Sequence, residues 1–118
     1  MEVKVTPADA SKVEDYDWGR ITWLVSGPLG NSRSMTFGRV TFNAGRSNPD
    51  HQHPNCDEIL HLLSGRLEHV VGRETCVLNP GDTISVPSGV LHHATAVGGQ
   101  PAVAVIAFSS ADRETRGR

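Results

Sequence analysis

Residues 45–65 read GRSNPDHQHPNCDEILHLLSG, and this stretch decides both the fold and the chemistry. His51 and His53 flank Gln52, and Glu58 follows five residues after the second histidine. Residues i and i+2 of a β-strand point to the same face, so the two imidazoles can enter one interior together. The Pro-Asn pair after them favours a turn. The next strand can therefore bring the Glu58 carboxylate back to the same interior.

A second stretch, residues 81–96 (GDTISVPSGVLHHATA), places His92 after a Pro-Ser-Gly turn. Together with His51, His53 and Glu58 it makes a set of three imidazoles and one carboxylate. Such a set suits one divalent transition metal ion, and it does not choose among Fe, Mn, Ni, Cu and Zn. We favour Glu58 as a direct ligand. The alternative is that Glu58 does not touch the metal and instead orients, or acts as a base on, a metal-bound water to which it hydrogen-bonds.

Both stretches resemble the two motifs of the cupin family. The first motif, G-x5-H-x-H-x(3,4)-E-x6-G, is met in full by Gly45, His51, His53, Glu58 and Gly65. The second, G-x5-P-x-G-x2-H-x3-N, is met by Gly81, Pro87, Gly89 and His92, with Ala96 where the pattern has Asn. The resemblance implies a small double-stranded β-helix, the jelly-roll barrel, with the four ligands inside it.

The length of 118 residues predicts one domain, residues 1–118, with an N-terminal arm over 1–18 and a flexible, charged tail over 110–118. The formal net charge of −2 gives no indication of nucleic acid as a partner. No segment approaches the about 20 apolar residues of a membrane span. The start of the chain, MEVKVTPADA, lacks the apolar core of a secretory signal, and two cysteines are too few for a disulfide framework. We therefore expect a cytoplasmic protein.

Short apolar segments separated by Gly/Pro turns predict an all-β fold. The expected strands cover residues 21–26, 35–42, 58–63, 66–71, 75–78, 83–86, 92–96 and 102–108. Residues 9–17 are polar and are interpreted as a short helix or an ordered arm. Several strands carry apolar residues on both faces, which indicates a second layer or a second subunit on the outside. We expect a homodimer, as is common among cupins.

Strand parity gives expectations for the remaining histidines. His61 is expected to point outward from an apolar strand, and His93 to lie on the face opposite His92. His69 would approach the metal pocket only if its face of the strand is the interior, which we consider the less favoured alternative.

Two cysteines and an arginine have more than one interpretation. Cys56 lies between ligands in the sequence, but a lone buried thiol is the commoner case, and Cys76 is interpreted in the same way. Arg39 is the best candidate for contact with a substrate anion because it interrupts an apolar strand, although surface exposure is the favoured interpretation. The small side chains of Ala94, Ala102 and Ala104 hint at space inside the barrel.

The favoured function is a metal-dependent enzyme that acts on a small organic substrate. A mononuclear metal with open coordination positions can act as a Lewis acid or, if it is Fe, bind dioxygen. The ligand set resembles that of cupin dioxygenases, isomerases and lyases, and of small monocupins that act on sugar acids, so the resemblance implies chemistry of one of these kinds. Glu58 is the candidate catalytic base. The alternative is a non-catalytic barrel that binds a small ligand and whose metal is structural.

Overall fold

Two antiparallel β-sheets account for most of the regular structure of residues 3–118, the residues that this computed structural model describes. A short 3-10 helix, Ala8–Ala10, precedes them. The strands are β1 (Lys12–Tyr16), β2 (Gly19–Val25), β3 (Thr36–Phe42), β4 (His51–Gln52), β5 (Glu58–Ser64), β6 (Leu67–Val71), β7 (Glu74–Leu78), β8 (Thr83–Val86), β9 (His92–Ala96), β10 (Ala102–Phe108) and β11 (Arg116–Gly117).

The order of the strands is that of a jelly roll, which confirms the predicted fold class. The first sheet has six strands in the order β1-β2-β3-β10-β5-β8, and the second has five in the order β11-β4-β9-β6-β7. Within the described residues the two sheets are separate hydrogen-bonded units that enclose one core between their inner faces. The "barrel" is therefore a sandwich of two sheets rather than one closed cylinder.

Alternation along the strands explains which side chains form the core. In β3, β5 and β10 every second residue is buried, as expected for strands whose inner face packs on a second sheet. Both sheets contribute to one apolar cluster, which includes Val40, Leu60, Leu62, Ile106 and Phe108 from the first sheet and Leu67, Leu78, Ala94 and Ala96 from the second. Some members of this cluster, such as Leu60, Ala94 and Ile106, lie beside the metal-ligand candidates.

Gly65, the last residue of the first motif, makes the turn from β5 to β6 and so links the two sheets. Its φ is +80°, a conformation that residues with a side chain rarely adopt. A Cβ at this position would also collide with the carbonyl oxygen of Pro101. The motif needs glycine here for both reasons.

The N-terminal segment differs from the helix that we considered for residues 9–17. The 3-10 helix ends at Ala10, and β1 then pairs with β2 in the register Lys12↔Trp23 to Tyr16↔Gly19. The predicted arm over 1–18 therefore supplies the edge strand of the six-stranded sheet, while residues 1 and 2 lie outside the described range. The polar sequence of β1 fits an edge position, because an edge strand need not bury both of its faces.

The C-terminal tail also differs from the expectation of a frayed end. Ala111 is buried, and β11 pairs with β4 in the register Arg116↔Gln52 and Gly117↔His51. Backbone pairing requires no apolar pattern, so the charged sequence of residues 110–118 could not reveal this contact. The tail therefore lies directly beside the first metal-ligand candidate.

Within residues 3–118 no helix has the length and apolar character that a membrane crossing requires. The cytoplasmic location stays a prediction.

Candidate metal centre

The fold brings all four predicted ligands to one place between the two sheets. His51 lies on β4 directly opposite His92 at the start of β9, and Glu58 begins β5 in the other sheet. His53 follows β4 by one residue and is 3% exposed. The candidate ligand atoms of these four side chains all lie within 4.8 Å of one another. Residues separated by up to 41 positions in sequence thus form one compact donor cluster.

Each of the three histidine rings is oriented by a hydrogen bond from its Nδ1 to a backbone carbonyl. The Nδ1–H of His51 donates to Pro49 O (2.7 Å), that of His53 to Glu114 O (2.9 Å), and that of His92 to Val90 O (2.9 Å). A carbonyl oxygen only accepts, so Nδ1 must carry the proton in all three rings. The neutral tautomer therefore leaves Nε2 with a free lone pair, which is the form that binds a metal ion.

These lone pairs face a carboxylate oxygen. Glu58 Oε1 lies 3.1 Å from His53 Nε2 and 3.0 Å from His92 Nε2, and both histidines and the glutamate are almost fully buried. His53 Nε2 has no hydrogen-bond partner among the described residues. Acceptors facing one another in a buried place are unfavourable unless a positive charge lies among them. A divalent cation supplies that charge, so the residues present fit a metal ion.

The pKa shifts follow from the same geometry. Burial pushes the pKa of Glu58 upward, but the adjacent His53 and His92 rings, when protonated on Nε2, outweigh it and hold that pKa well below its usual range. Burial lowers the pKa of His92, while the neighbouring Glu58 carboxylate raises it more. Burial lowers the pKa of His51 to about 4, so His51 is neutral at pH 7. The cluster thus combines an anionic carboxylate with imidazoles that can coordinate.

A small cavity of about 50 Å³ adjoins the four side chains. Its other walls are mostly apolar or aromatic and include Trp18, Trp23, Leu60, Ala94 and Ile106. A space of this size leaves room for only a few water-sized groups. Of the three small residues that were expected to leave space inside the barrel, Ala94 borders this cavity. Ala102 and Ala104 are packed in the core instead.

His69 is a fourth histidine that lines the cavity, beside the three ligand candidates. It is 2% exposed on the inner face of β6, and its ring lies 6.0 Å from that of His92, centroid to centroid. The favoured interpretation kept His69 out of the pocket, and this was wrong because Leu67 and His69 occupy the interior face of β6. Its Nδ1 is buried without a partner among the described residues, and burial lowers its pKa to about 4.

The other uncertain residues lie away from the cluster or are not ligands. His61 points outward and bonds to Thr83 Oγ1 (2.7 Å), and His93 faces away from His92 and pairs with Asp50 (2.7 Å), as strand parity predicted. Cys56 is a buried free thiol, as favoured. Cys76 is exposed, so its interpretation as a buried thiol was wrong. It lies on β7, an edge strand that the core covers only in part.

Arg39 is exposed on the outer face of β3, so the site's cationic side chain comes from elsewhere. Arg113, in the tail that was expected to be frayed, borders the metal cavity. Its guanidinium lies 4.4 Å from the centroid of Trp23 and 5.0 Å from that of Phe108. Nothing in the charged sequence ADRETRGR distinguishes Arg113 from its neighbouring arginines, so sequence reasoning missed it.

The fold and the donor cluster are those of the cupins, and the sequence comparison agrees. The chain matches the Cupin domain family over residues 38–108, well over half of its length, and it belongs to this family. It is 36% identical over 92 residues to Germin-like protein 4-1 of Oryza sativa subsp. japonica, a match covering 68% of this chain and 35% of that protein. The chain thus spans about a third of the length of this curated relative.

Two solved structures are similar in fold. Oxalate decarboxylase of Bacillus subtilis, an enzyme with Mn(II) centres, superposes with a TM-score of 0.84 at 21% identity, covering 93% of this chain and 30% of that one. Recombinant oxalate oxidase in complex with glycolate superposes with a TM-score of 0.76 at 26% identity, covering 86% of this chain and 55% of that one. The chain is therefore a cupin with a candidate metal site.

Proposed function

We propose that this cupin is a mononuclear metal-dependent enzyme that acts on a small organic acid. The observation that carries the proposal is the convergence of free Nε2 lone pairs on the buried Glu58 carboxylate. Three backbone carbonyls fix the tautomer of His51, His53 and His92, which is more than a set of unrelated polar histidines would require.

The four side chains would hold the metal, and the rest of the cavity would shape what reaches it. When bound, the metal supplies Lewis-acid or one-electron chemistry to a substrate beside it. Phe108 packs edge-on against the His53 ring, with centroids 4.9 Å apart, and so restrains the orientation of that ring. The small apolar cavity favours a substrate of a few heavy atoms over a large one.

A small organic acid is supported by the kind of cupin that this chain resembles. Oxalate oxidase, which has the same fold, forms a complex with glycolate, and oxalate decarboxylase of Bacillus subtilis has Mn(II) centres. Oxalate and glycolate are thus the first compounds to test, and Mn(II) is the first metal. The donor set of three nitrogens and one oxygen accepts Fe, Ni, Cu and Zn as well.

The test is metal content followed by turnover. Protein purified without chelators is analysed by plasma mass spectrometry, reconstituted with each candidate metal, and assayed with oxalate, glycolate and sugar acids. We expect about one metal equivalent in the wild type, none in His51→Ala/His53→Ala, and full occupancy in the control His93→Ala, whose ring faces away from the site. Metal retained by the double variant would contradict the ligand assignment.

A structural metal in a non-catalytic barrel is the alternative function. The cavity beside the ligands argues against it, because a closed structural site needs no space next to the ion. Stoichiometric Zn(II) without an exchangeable water, together with no turnover of any organic acid, would favour this alternative and contradict the enzyme proposal.

A further inference from the structure

We infer that Arg113 binds the carboxylate of the substrate at the mouth of the metal cavity. The inference rests on the proposed function in one respect, namely that the ligand is a small organic acid. It adds the residue that recognises the acid, and this residue comes from the C-terminal tail rather than from either cupin motif.

The position of Arg113 is the first support. It borders the metal cavity and also two outer depressions, of about 340 and 370 Å³, that flank the tail. The larger depression is lined by His51 as well, the most accessible of the four ligand candidates. A molecule in this depression would therefore meet a metal ligand and a guanidinium at the same time.

The charge of Arg113 is the second support. Arg20 and Arg118 form ion pairs with Asp15 and Asp50, whereas Arg113 has no carboxylate within ion-pair distance among the described residues. Among residues 3–118, its guanidinium donates one hydrogen bond, from Nη1 to Thr115 Oγ1 (2.5 Å). A guanidinium has five N–H donors, so most of its capacity is open to a ligand.

The surroundings of the guanidinium give the third support. The rings of Trp23 and Phe108 hold it by cation–π contacts, and Glu14, the nearby acid on β1, accepts a hydrogen bond from Trp23 Nε1 (2.5 Å). The cation is thus oriented by aromatic rings and forms no ion pair with a carboxylate of the described residues, although Glu58 and Glu14 lie near enough to attract it electrostatically. This arrangement suits a planar anion, because a carboxylate can accept two parallel N–H bonds from one guanidinium.

The inner cavity then limits the length of the ligand. A space of about 50 Å³ beside the metal ligands takes only a few heavy atoms, so the remainder must extend toward Arg113. The ligand class is a short carboxylic acid with one polar end near the metal position and its carboxylate on the guanidinium.

The experiment measures glycolate binding by calorimetry and tryptophan fluorescence, using the Mn(II)-loaded protein. Arg113→Met removes the charge while keeping a long side chain against Trp23 and Phe108. Because charge-assisted hydrogen bonds are lost, we expect it to raise the Kd for glycolate by a factor of about 10 to 100. Arg39→Gln, at the exposed arginine on the outer face of β3, is the matched control and should bind like the wild type.

Two further arms separate anchoring from folding and from metal binding. Arg113→Gln is measured in the same way, so that a folding defect of either variant leaves the other to decide. Ethylene glycol, which lacks the carboxylate, should bind equally to the wild type and the variants. Mn(II) affinity should stay within about twofold of the wild type, because Arg113 is not a metal ligand.

The inference is overturned if folded Arg113 variants bind glycolate within twofold of the wild type, or if the wild type binds neither glycolate nor oxalate. Failure of the proposed function looks different. A wild type that binds glycolate through Arg113 but turns over no organic acid would contradict the enzyme and leave the anchor intact. If the Arg113→Met variant turned over glycolate as well as the wild type does, the enzyme proposal would stand and the Arg113 anchor would be contradicted.

Discussion

Glu58 illustrates at the scale of one residue why the cluster needs a cation. Its Oε1 lies about as close to two imidazole nitrogens as a hydrogen bond would place it, yet both rings already use their Nδ1 proton elsewhere. Either protons or a metal ion must lie between these atoms. The carboxylate therefore distinguishes a metal site from a packed group of neutral histidines.

We predict that Glu58→Gln lowers metal affinity by about 100-fold or more, because a neutral amide is a weaker ligand and no longer offsets the ion's charge. Competition with a fluorescent chelator measures the affinity. Asp50→Asn is the control, since Asp50 pairs with His93 and lies outside the donor cluster. An unchanged affinity together with lost turnover would instead assign Glu58 as the base acting on a bound water.

His69 is a second residue whose environment makes a prediction. Burial holds its pKa at about 4, below the ordinary 6.5, so the unfolded chain binds a proton more readily than the folded one. The contribution of neutral His69 to stability is therefore complete above pH 6.5 and is lost as the pH falls toward 4. The free energy of unfolding falls by at most about 3 kcal/mol, because each unit of difference between the folded and unfolded pKa corresponds to about 1.4 kcal/mol.

Denaturant unfolding of the metal-free protein at pH 7.5 and pH 4.5 tests this expectation. His69→Leu should lose less stability between these two pH values than the wild type does. At pH 7.5 the variant should be at least as stable as the wild type, because His69 Nδ1 has no partner among the described residues. Equal pH dependence of the two proteins would contradict the assigned burial of a neutral imidazole.

At the scale of elements, the C-terminal tail is part of the candidate metal centre. The Glu114 carbonyl orients His53, Thr115 Oγ1 lies 3.2 Å from the same Nδ1, and β11 pairs with β4 beside His51. These contacts use the backbone or a short hydroxyl side chain, so they leave no apolar signature in the sequence. The strands of the core do leave one, because alternation of buried residues appears directly in the order of side chains.

We predict that deleting residues 113–118 lowers metal affinity by about 10- to 100-fold while the two sheets remain folded. The expected cause is the loss of the carbonyl that fixes the His53 tautomer. Deleting only residues 116–118 keeps Glu114 and Thr115 and is the matched control, with a smaller expected loss. Circular dichroism and metal titration give the two readouts. Full affinity after the longer deletion would show that the tail does not orient the ligand.

At the scale of the whole molecule, the outer face of the six-stranded sheet carries an apolar patch beside polar residues such as Arg39 and His61. Phe37, Ala107 and Ile59 are neighbours across β3, β10 and β5 on this face, and Ile59 and Leu63 are each about half exposed. A sheet that faced only water would carry polar residues there. The homodimer predicted from the two-faced apolar pattern stays a prediction, and this face is its expected interface.

We expect light scattering to show a dimer at about 10 µM and Ile59→Lys to shift it to a monomer, because a buried unpaired ammonium group is costly. Val77→Lys is the control: Val77 is 52% exposed on β7 of the other sheet and should not affect assembly. A monomeric wild type at this concentration would contradict the predicted dimer.

The family, the all-β class and the four candidate ligands follow from the amino-acid order alone, because these depend on local spacing. Residues i and i+2 share a strand face, and glycines such as Gly65 mark turns that other residues cannot make. Only the tertiary structure decided that β6 turns His69 inward, that Arg39 faces solvent, and that Arg113 reaches the metal cavity. Those outcomes depend on which face meets the second sheet and where the tail pairs, and contacts between distant segments set both.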